Sequence, residues 1–178
     1  FRRVLFRSGY EDTTVEEIIE LSGTSKGSFY HYFDGKDALL STLSSLFDEK
    51  YEELTGLLTP EMTAMEQLLF LNRELFHMIE DSISLDLLAR LYSTQLTTNG
   101  EKHLLDHNRI YYKLLRKIIA KGQAEGQLSS RSNVNEMVKL YALCERALLY
   151  DWCLCAGEYA LTEYSAKVLP GFLSSFLP

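Results

Sequence analysis

Apolar residues recur at three- and four-residue spacing along most of the chain, and no segment alternates regularly between apolar and polar positions. An α-helix with one buried face has a period of about 3.6 residues, whereas a half-buried strand has a period of two. The pattern therefore predicts an all-α protein. Short helices precede residue 50 and longer ones follow, so we expect a small domain over residues 1–50 and a larger helical domain over 51–178.

The longer helices are predicted from their apolar stripes and from the turn residues between them. The first begins at Lys36 and carries a stripe that runs from Leu39 to Leu54. Further helices are expected near 61–80, 84–97 and 102–124, then from Asn133 to about residue 156 and from about Thr162. Gly122 and Gly126 are interpreted as end signals, and a bend is expected at Pro170.

The last two predicted helices have more apolar surface than one core needs. One stripe of the helix after Asn133 would face the core, and a second face holds further apolar residues: Leu140, Leu143, Ala147, Tyr150 and Leu154. A second apolar face requires a second partner. We therefore expect a homodimer through the last two helices, joined as a four-helix bundle.

Residues 14 to 33 have the pattern of a helix-turn-helix. Thr14 is a good N-cap for a short helix whose apolar side is formed by Val15, Ile18 and Ile19. Gly23 permits a tight turn, and Ser25 caps a second short helix. The aromatic residues of that second helix, Phe29, Tyr32 and Phe33, are expected to pack inward.

The opposite side of the second short helix carries small and hydrogen-bonding residues: Lys26, Gly27, Ser28, Tyr30 and His31. Side chains of this kind on an exposed helix can approach base edges and phosphates in a DNA major groove. The segment is therefore interpreted as a surface for reading double-stranded DNA.

The run TTVEEIIELSGTSKGSFYHYFDGKDALL, residues 13 to 40, resembles the signature of the TetR/AcrR family of bacterial transcriptional regulators. The resemblance covers about residues 9 to 47 and matches many positions at fixed spacing, which makes it more specific than a short motif. Thr24 departs from the aliphatic residue that is usual in the family. The first eight residues are also the translation of a common sequencing-adapter read, so we interpret them as an artefact that truncates the first helix.

The resemblance implies a ligand-responsive repressor. Thr14 and Tyr30 would bond phosphates, Lys36 would clamp the DNA backbone, and the groove would be faced by Ser25, Lys26, Gly27, Ser28 and His31. A homodimer would bind a palindromic operator, and a small-molecule effector in the larger domain would release it. Candidate effector-pocket residues, chosen as aromatic or polar side chains on apolar helices, are Asn72, Arg73, His77, Tyr92, Tyr111, Tyr112 and Trp152.

Charge is the observation that opposes DNA binding. The formal net charge is −7, and residues 9 to 47 contain two lysines against seven acidic residues. Because affinity for a duplex comes largely from cations that neutralise phosphates, any DNA contact must be local. An alternative therefore remains open: an all-helical dimeric interaction protein that has lost DNA binding.

Other function classes find little support in the sequence. There is no glycine-rich phosphate loop and no nucleophile elbow, so we expect no enzyme and no cofactor. His103 and His107 lie four apart but lack further ligands, and Cys153 and Cys155 lie two apart on a helix, so no metal is expected. No apolar run is long enough for a bilayer span, and the three cysteines form no disulfide framework, which predicts a cytoplasmic location.

Overall fold

The structure is a computed structural model that describes residues 13–33, 35, 40–97 and 102–178, and it contains α-helices and no strand over those residues. The all-α prediction is confirmed. The helices are α1 (Val15–Ser22), α2 (Lys26–Tyr32), α3 (Ser41–Thr55), α4 (Ala64–Ser82), α5 (Leu85–Thr97), α6 (Ile110–Ala124), α7 (Val134–Leu154) and α8 (Leu161–Leu173), with short 3-10 turns at His103–Leu105 and Ser174–Phe176. None of the helices in these ranges is long and apolar enough to cross a lipid bilayer.

The chain divides into two compact units. The first comprises the described residues up to Phe47 together with those from Asp81 to Asp106, and the second comprises Asp48–Glu80 and His107–Pro178. The boundary between Phe47 and Asp48 lies within α3, and the boundary between Glu80 and Asp81 lies within α4. The expected division into residues 1–50 and 51–178 remains a prediction.

The first unit contains the helix-turn-helix and α5. Its buried side chains include Ile18 of α1, Phe29 of α2 and Leu43 of α3, each at most 2% exposed. On α5, Leu87, Leu88 and Leu91 are buried at the three- and four-residue spacing of a helix with one apolar face. The start of the helix predicted from Lys36 lies outside the described residues, which show α-helix from Ser41.

The second unit is built from α4, α6, α7 and α8, with α6 against α7 and α7 against α8. Its core holds completely or almost completely buried residues from each of these helices, among them Leu68, Phe76, Leu115, Tyr141 and Leu169. The apolar stripes that predicted these helices are therefore the surfaces that the fold buries.

The sequence indicated that Gly122 ends this helix, but α6 continues past it to Ala124. Gly122 is buried inside the helix, and a Cβ built there would lie 2.6 Å from Ala64 Cβ and 2.8 Å from Leu128 Cδ1. Gly126, with φ +72°, is the residue that takes the left-handed conformation after the helix. Gly122 is required instead because the side chains of Ala64 and Leu128 occupy the space that its own side chain would need.

The helix predicted over 102–124 is interrupted, so this prediction was wrong. Residues 103–105 form a 3-10 turn, and α6 begins only at Ile110, after Arg109 in an extended conformation. Asp106, His107 and Asn108 favour turns over helix interiors. Arg109 donates from Nε and Nη2 to the two carboxylate oxygens of Asp48, each at 3.0 Å, which fixes the start of α6. His103 and His107 therefore do not share a helix face.

Candidate nucleic-acid interface and ligand cleft

α1 begins with a complete capping box. The Thr14 hydroxyl accepts from the Glu17 amide at 3.2 Å, while the Glu17 carboxylate accepts from the Thr14 amide at 2.7 Å. The sequence indicated Thr14 as the cap but missed Glu17, although a threonine followed three positions later by glutamate is the signature of this arrangement. The cap fixes where α1 starts and leaves Glu16, Glu17 and Glu20 exposed.

Gly23 makes the turn between α1 and α2. Its φ of +65° lies in the left-handed region, and its amide and that of Thr24 donate to the last carbonyls of α1. Ser25 then caps α2, because its hydroxyl accepts from the Ser28 amide at 3.1 Å. The turn and both caps were predicted, and together they form the helix-turn-helix geometry.

Of the three aromatic residues that were predicted to pack inward, only Phe29 is fully buried. Phe29 is 1% exposed and Phe33 is half-buried, but Tyr32 is 76% exposed, so the prediction was wrong for Tyr32. Tyr32 is the last residue of the helix, and the backbone is extended at Phe33. The other side of α2 presents five exposed residues: Lys26, Gly27, Ser28, Tyr30 and His31.

The exposed cation of α2 is engaged within the helix-turn-helix. Lys26 Nζ lies 3.2 Å from Glu16 Oε1 of α1 and 6.0 Å from the centre of the Tyr30 ring. Both side chains of this ion pair are 67% exposed, so water and salt screen it. Lys36, the predicted backbone clamp, lies outside the described residues.

In the second unit, an open cleft of about 640 Å³ lies between α4 and α8. One strip of its wall is apolar and includes Leu69, Phe70 and Ala166. Polar side chains of α4 and α8 also line it: Glu66, Asn72, Arg73, Thr162 and Ser165. The lining is completed by Glu61 and Met62, which precede α4, and by Pro170 of α8. A concave surface with apolar walls and a few polar groups has the character of a small-molecule site.

A buried hydrogen-bond network begins at two of these cleft residues. Ser165 Oγ donates to Asn72 Oδ1 at 2.5 Å, and Asn72 Nδ2 donates to Glu145 Oε1 at 2.9 Å. The other oxygen of Glu145 accepts from the Tyr111 hydroxyl at 2.7 Å. The network joins α4, α6, α7 and α8 through one carboxyl group.

Burial raises the pKa of Glu145, although the hydrogen bonds from Tyr111 and Asn72 act in the opposite direction. The pKa of the Tyr111 hydroxyl is also raised, first by burial and then by the nearby Glu145. Sequence reasoning missed Glu145. The signal was an acidic residue one position after Cys144 and three before Leu148, inside the apolar stripe of α7.

Of the predicted effector-pocket residues, Asn72 and Arg73 line the cleft. Tyr111, Tyr112 and Trp152 are buried in the second unit and do not line it, and His77 is exposed. Tyr92 belongs to α5 in the first unit. The structure therefore brings two of the seven residues together at this cleft.

Comparison with known proteins identifies the helix-turn-helix region. The family model of the bacterial regulatory proteins of the tetR family matches residues 2–43. The HTH-type transcriptional regulator QacR of Staphylococcus aureus is 33% identical over 52 residues, which are 29% of this chain and 28% of that protein. YvdT of Bacillus subtilis, an uncharacterised HTH-type transcriptional regulator, is 25% identical over 131 residues, 73% of this chain and 66% of that protein. These matches span less than two thirds of the relatives' length.

Solved structures share the whole fold. FadR of Bacillus subtilis in complex with stearoyl-CoA has a TM-score of 0.75 at 21% identity, with 98% of this chain and 95% of that chain covered. Thermus thermophilus FadR, a TetR-family repressor in complex with lauroyl-CoA, has a TM-score of 0.73 at 24% identity, covering 99% and 92%.

A TetR-family regulator of Pectobacterium atrosepticum has a TM-score of 0.75 at 15% identity, covering 99% of this chain and 89% of that chain. The similarity in structure therefore extends through both units, and the similarity in sequence concentrates at the helix-turn-helix. The helix-turn-helix therefore lies in the part of the chain that matches the family model of the bacterial regulatory proteins of the tetR family.

Proposed function

We propose that the protein is a ligand-responsive, DNA-binding transcriptional regulator that represses by binding a palindromic operator as a dimer in the cytoplasm. Residues 1–50 would form the DNA-binding domain, and 51–178 the domain for effector binding and dimerisation. The observation that carries this proposal is the exposed face of α2, held by the Gly23 turn and the Ser25 cap. The match of residues 2–43 to the tetR family model supports the same proposal.

The proposed DNA contacts divide into positioning and readout. Thr14 and Tyr30 would contact phosphates, and Lys36 would clamp the backbone. Ser25, Lys26, Gly27, Ser28 and His31 would face the major groove. Phosphate contacts fix the register of a protein on DNA, whereas side chains at base edges carry the sequence information.

The dimer is proposed to form through α7 and α8. On α7, Leu143, Tyr150 and Leu154 are 52%, 49% and 66% exposed, and their spacing of seven and four residues places them along one stripe. Tyr164 of α8 is 43% exposed. Because large apolar side chains in a row are costly to leave in water, a second copy of the same stripe is the partner that we propose.

The effector is proposed to bind in the cleft between α4 and α8. Two structural neighbours hold stearoyl-CoA and lauroyl-CoA. The apolar strip at Leu69, Phe70 and Ala166 would suit an acyl chain, and Arg73 would suit an anionic group. A ligand can release DNA only if it favours the state that does not bind DNA, so effector and operator must each weaken the binding of the other.

DNA binding is tested by fluorescence anisotropy with the full chain and the duplex from upstream of its own gene. We expect saturable binding that weakens steeply with salt, and a His31→Ala variant with altered sequence preference. Unchanged preference would remove His31 from the readout. If the full chain binds no duplex at low salt, the alternative of a dimeric interaction protein replaces the repressor.

The effector proposal is tested by adding lauroyl-CoA to the preformed protein–DNA complex, with coenzyme A alone as the control. We expect release by the acyl form only. A Phe70→Ser variant should need a higher concentration for the same release, because the apolar wall of the cleft is reduced. If the same concentration of lauroyl-CoA releases DNA from the variant and from the unchanged protein, the ligand binds elsewhere.

A further inference from the structure

Two acidic side chains in the first turn of α1 occupy groups that the proposed DNA complex would use. Glu16 forms the 3.2 Å ion pair with Lys26, the exposed cation of α2. The Glu17 carboxylate accepts from the Thr14 amide at 2.7 Å and from the Thr14 hydroxyl at 3.0 Å. Thr14 and Lys26 are among the proposed DNA contacts, so each has an anionic partner before DNA arrives.

Lys26 belongs to the groove-facing set, but we assign its ammonium group to a phosphate that borders the groove, so both contacts have the chemistry of a phosphate contact. Ammonium groups, hydroxyls and backbone amides are the donors with which proteins bind phosphate oxygens, and a carboxylate oxygen accepts from the same donors. Glu16 is held in its charged form, because hydrogen bonding to its backbone amide and to Lys26 lowers its pKa. A DNA phosphate must therefore displace a carboxylate rather than water.

We propose that Glu16 and Glu17 are intramolecular competitors for DNA phosphate, which weaken the binding of all DNA sequences alike. The competition acts through Lys26 and Thr14 rather than through net charge in general. This inference rests on the proposed function, because it assumes that α2 and the N-terminus of α1 meet DNA. Such competition would lower non-specific affinity most, since phosphate contacts supply nearly all of it.

Glu20 provides a matched control. It lies on the same helix, is exposed, and carries the same charge. Glutamine at position 16, 17 or 20 removes one negative charge and leaves the length of the side chain unchanged. Glutamine also serves in a capping box, so Glu17→Gln keeps the start of α1 intact.

The experiment measures the affinity of the full-length variants for the upstream duplex and for an unrelated duplex of equal length. We expect Glu16→Gln to raise both affinities by the same factor, roughly three- to fivefold, as befits an exposed ion pair. Its salt dependence should also steepen by about one phosphate contact, because Lys26 is then free to displace a counterion. Glu20→Gln should raise affinity less and leave the salt slope unchanged.

A double-mutant cycle with Lys26→Ala separates competition from general repulsion. If Glu16 acts through Lys26, Glu16→Gln should raise affinity no more than Glu20→Gln does once Lys26 is absent. A gain from Glu16→Gln that persists in the Lys26→Ala background, or that equals that of Glu20→Gln in the otherwise unchanged protein, would overturn the proposal. Thermal unfolding by circular dichroism verifies that each variant is folded.

The two proposals fail in different ways. If the unchanged protein prefers the upstream duplex and Glu16→Gln behaves like Glu20→Gln, the regulator stands and the competition is wrong. If the unchanged protein binds no DNA but the Glu16→Gln/Glu17→Gln variant does, the competition is supported and the repressor function of this chain is not. Binding of no duplex by any variant overturns both.

Discussion

Gly122 is a residue at which the second unit has no room for a side chain. A methyl group would meet Ala64 Cβ at 2.6 Å and Leu128 at 2.8 Å, so either α4 must move away from α6 or the Leu128 side chain must leave its rotamer. Overpacking of this kind costs about 1–3 kcal/mol. We expect Gly122→Ala to lower the free energy of unfolding by that amount in urea titrations.

Gly171→Ala is the control for this prediction. Gly171 also lies in a helix, α8, but nothing approaches its Cβ position within 4 Å. There the alanine should be neutral or stabilise by up to about 1 kcal/mol, because alanine is the better helix former. Equal effects of the two substitutions would mean that α4 and α6 pack less closely than the structure indicates.

Glu145 makes the stability of the second unit depend on pH. Because burial raises the pKa of Glu145, the folded state retains a proton at pH values where the unfolded state has released it. The contribution of Glu145 to stability is therefore complete below the ordinary carboxyl pKa and is lost as pH rises through the raised value. Glu145→Gln should remove this part of the pH dependence.

The measurement is the difference in unfolding free energy between the unchanged protein and Glu145→Gln at pH 5 and at pH 8. The variant should gain relative stability at pH 8, because folding of the unchanged protein then requires Glu145 either to keep a proton that the unfolded chain has released or to bury its charge. Glu52→Gln, an exposed site on α3, should show no such gain. A constant difference between pH 5 and pH 8 would contradict the assignment.

At the scale of single residues, the sequence predicted helix caps but missed hydrogen-bond partners that are distant along the chain. Thr14 and Ser25 were identified as N-caps because a cap acts within three residues along the chain. The contact of Asn72 with Glu145 joins residues 73 positions apart, and no local pattern encodes it. Tyr32 shows the same limit, since helical spacing places it near Phe29 but cannot tell where the helix ends.

At the scale of elements, α8 begins without a cap of its own. Ala160 at its N-cap position has a methyl side chain, which cannot accept hydrogen bonds from the first amides. Glu80 of α4 takes this role: its carboxylate accepts from the Leu161 amide at 2.5 Å, from the Thr162 amide at 2.9 Å and from the Thr162 hydroxyl. A negative charge there also complements the helix dipole.

We expect Glu80→Ala to destabilise the protein by about 1–3 kcal/mol, because the amides at the start of α8 lose a charged acceptor. Glu163→Gln serves as the comparison, since it removes an exposed acid from the first turn of the same helix and should cost no more than about 0.5 kcal/mol. Urea unfolding measures both. A Glu80→Ala protein as stable as Glu163→Gln would show that water replaces the carboxylate without loss.

The elements themselves were predictable to the extent that each buries one face. α4, α5, α7 and α8 appear within a few residues of their predicted bounds, because their stripes recur at helical spacing. The prediction of one helix over 102–124 failed because Leu104 and Leu105 continue the helical spacing of apolar residues across the break. Turn formers and the Arg109–Asp48 contact stop the helix there, and the latter spans 61 residues.

At the scale of the whole molecule, the similarity to the tetR family was predictable from one segment, and the all-α fold was predictable from the apolar spacing along the chain. The helix-turn-helix is encoded by consecutive residues, so its pattern is complete in the sequence. The cleft is not encoded by consecutive residues, because its walls come from α4 and α8, which lie about 100 residues apart in the sequence. Its polar residues Asn72 and Arg73 were identified by type, whereas Thr162 and Ser165 were missed because small hydroxyl residues on a helix carry no such signal.

Dimerisation through α7 and α8 would make the stability of the whole molecule depend on its concentration. Unfolding of a dimer releases two chains, so its midpoint temperature must rise with protein concentration, whereas that of a monomer is constant. Calorimetry over a hundredfold range of concentration should show this rise. Leu143→Glu/Leu154→Glu should abolish it, because both side chains lie on the exposed stripe of α7 and charges there cannot be buried against a second copy. Leu57→Glu, at a residue that is 55% exposed outside both helices, should keep the concentration dependence. A midpoint that is constant for the unchanged protein would rule out the dimer, and with it the binding of a palindrome by two linked recognition helices.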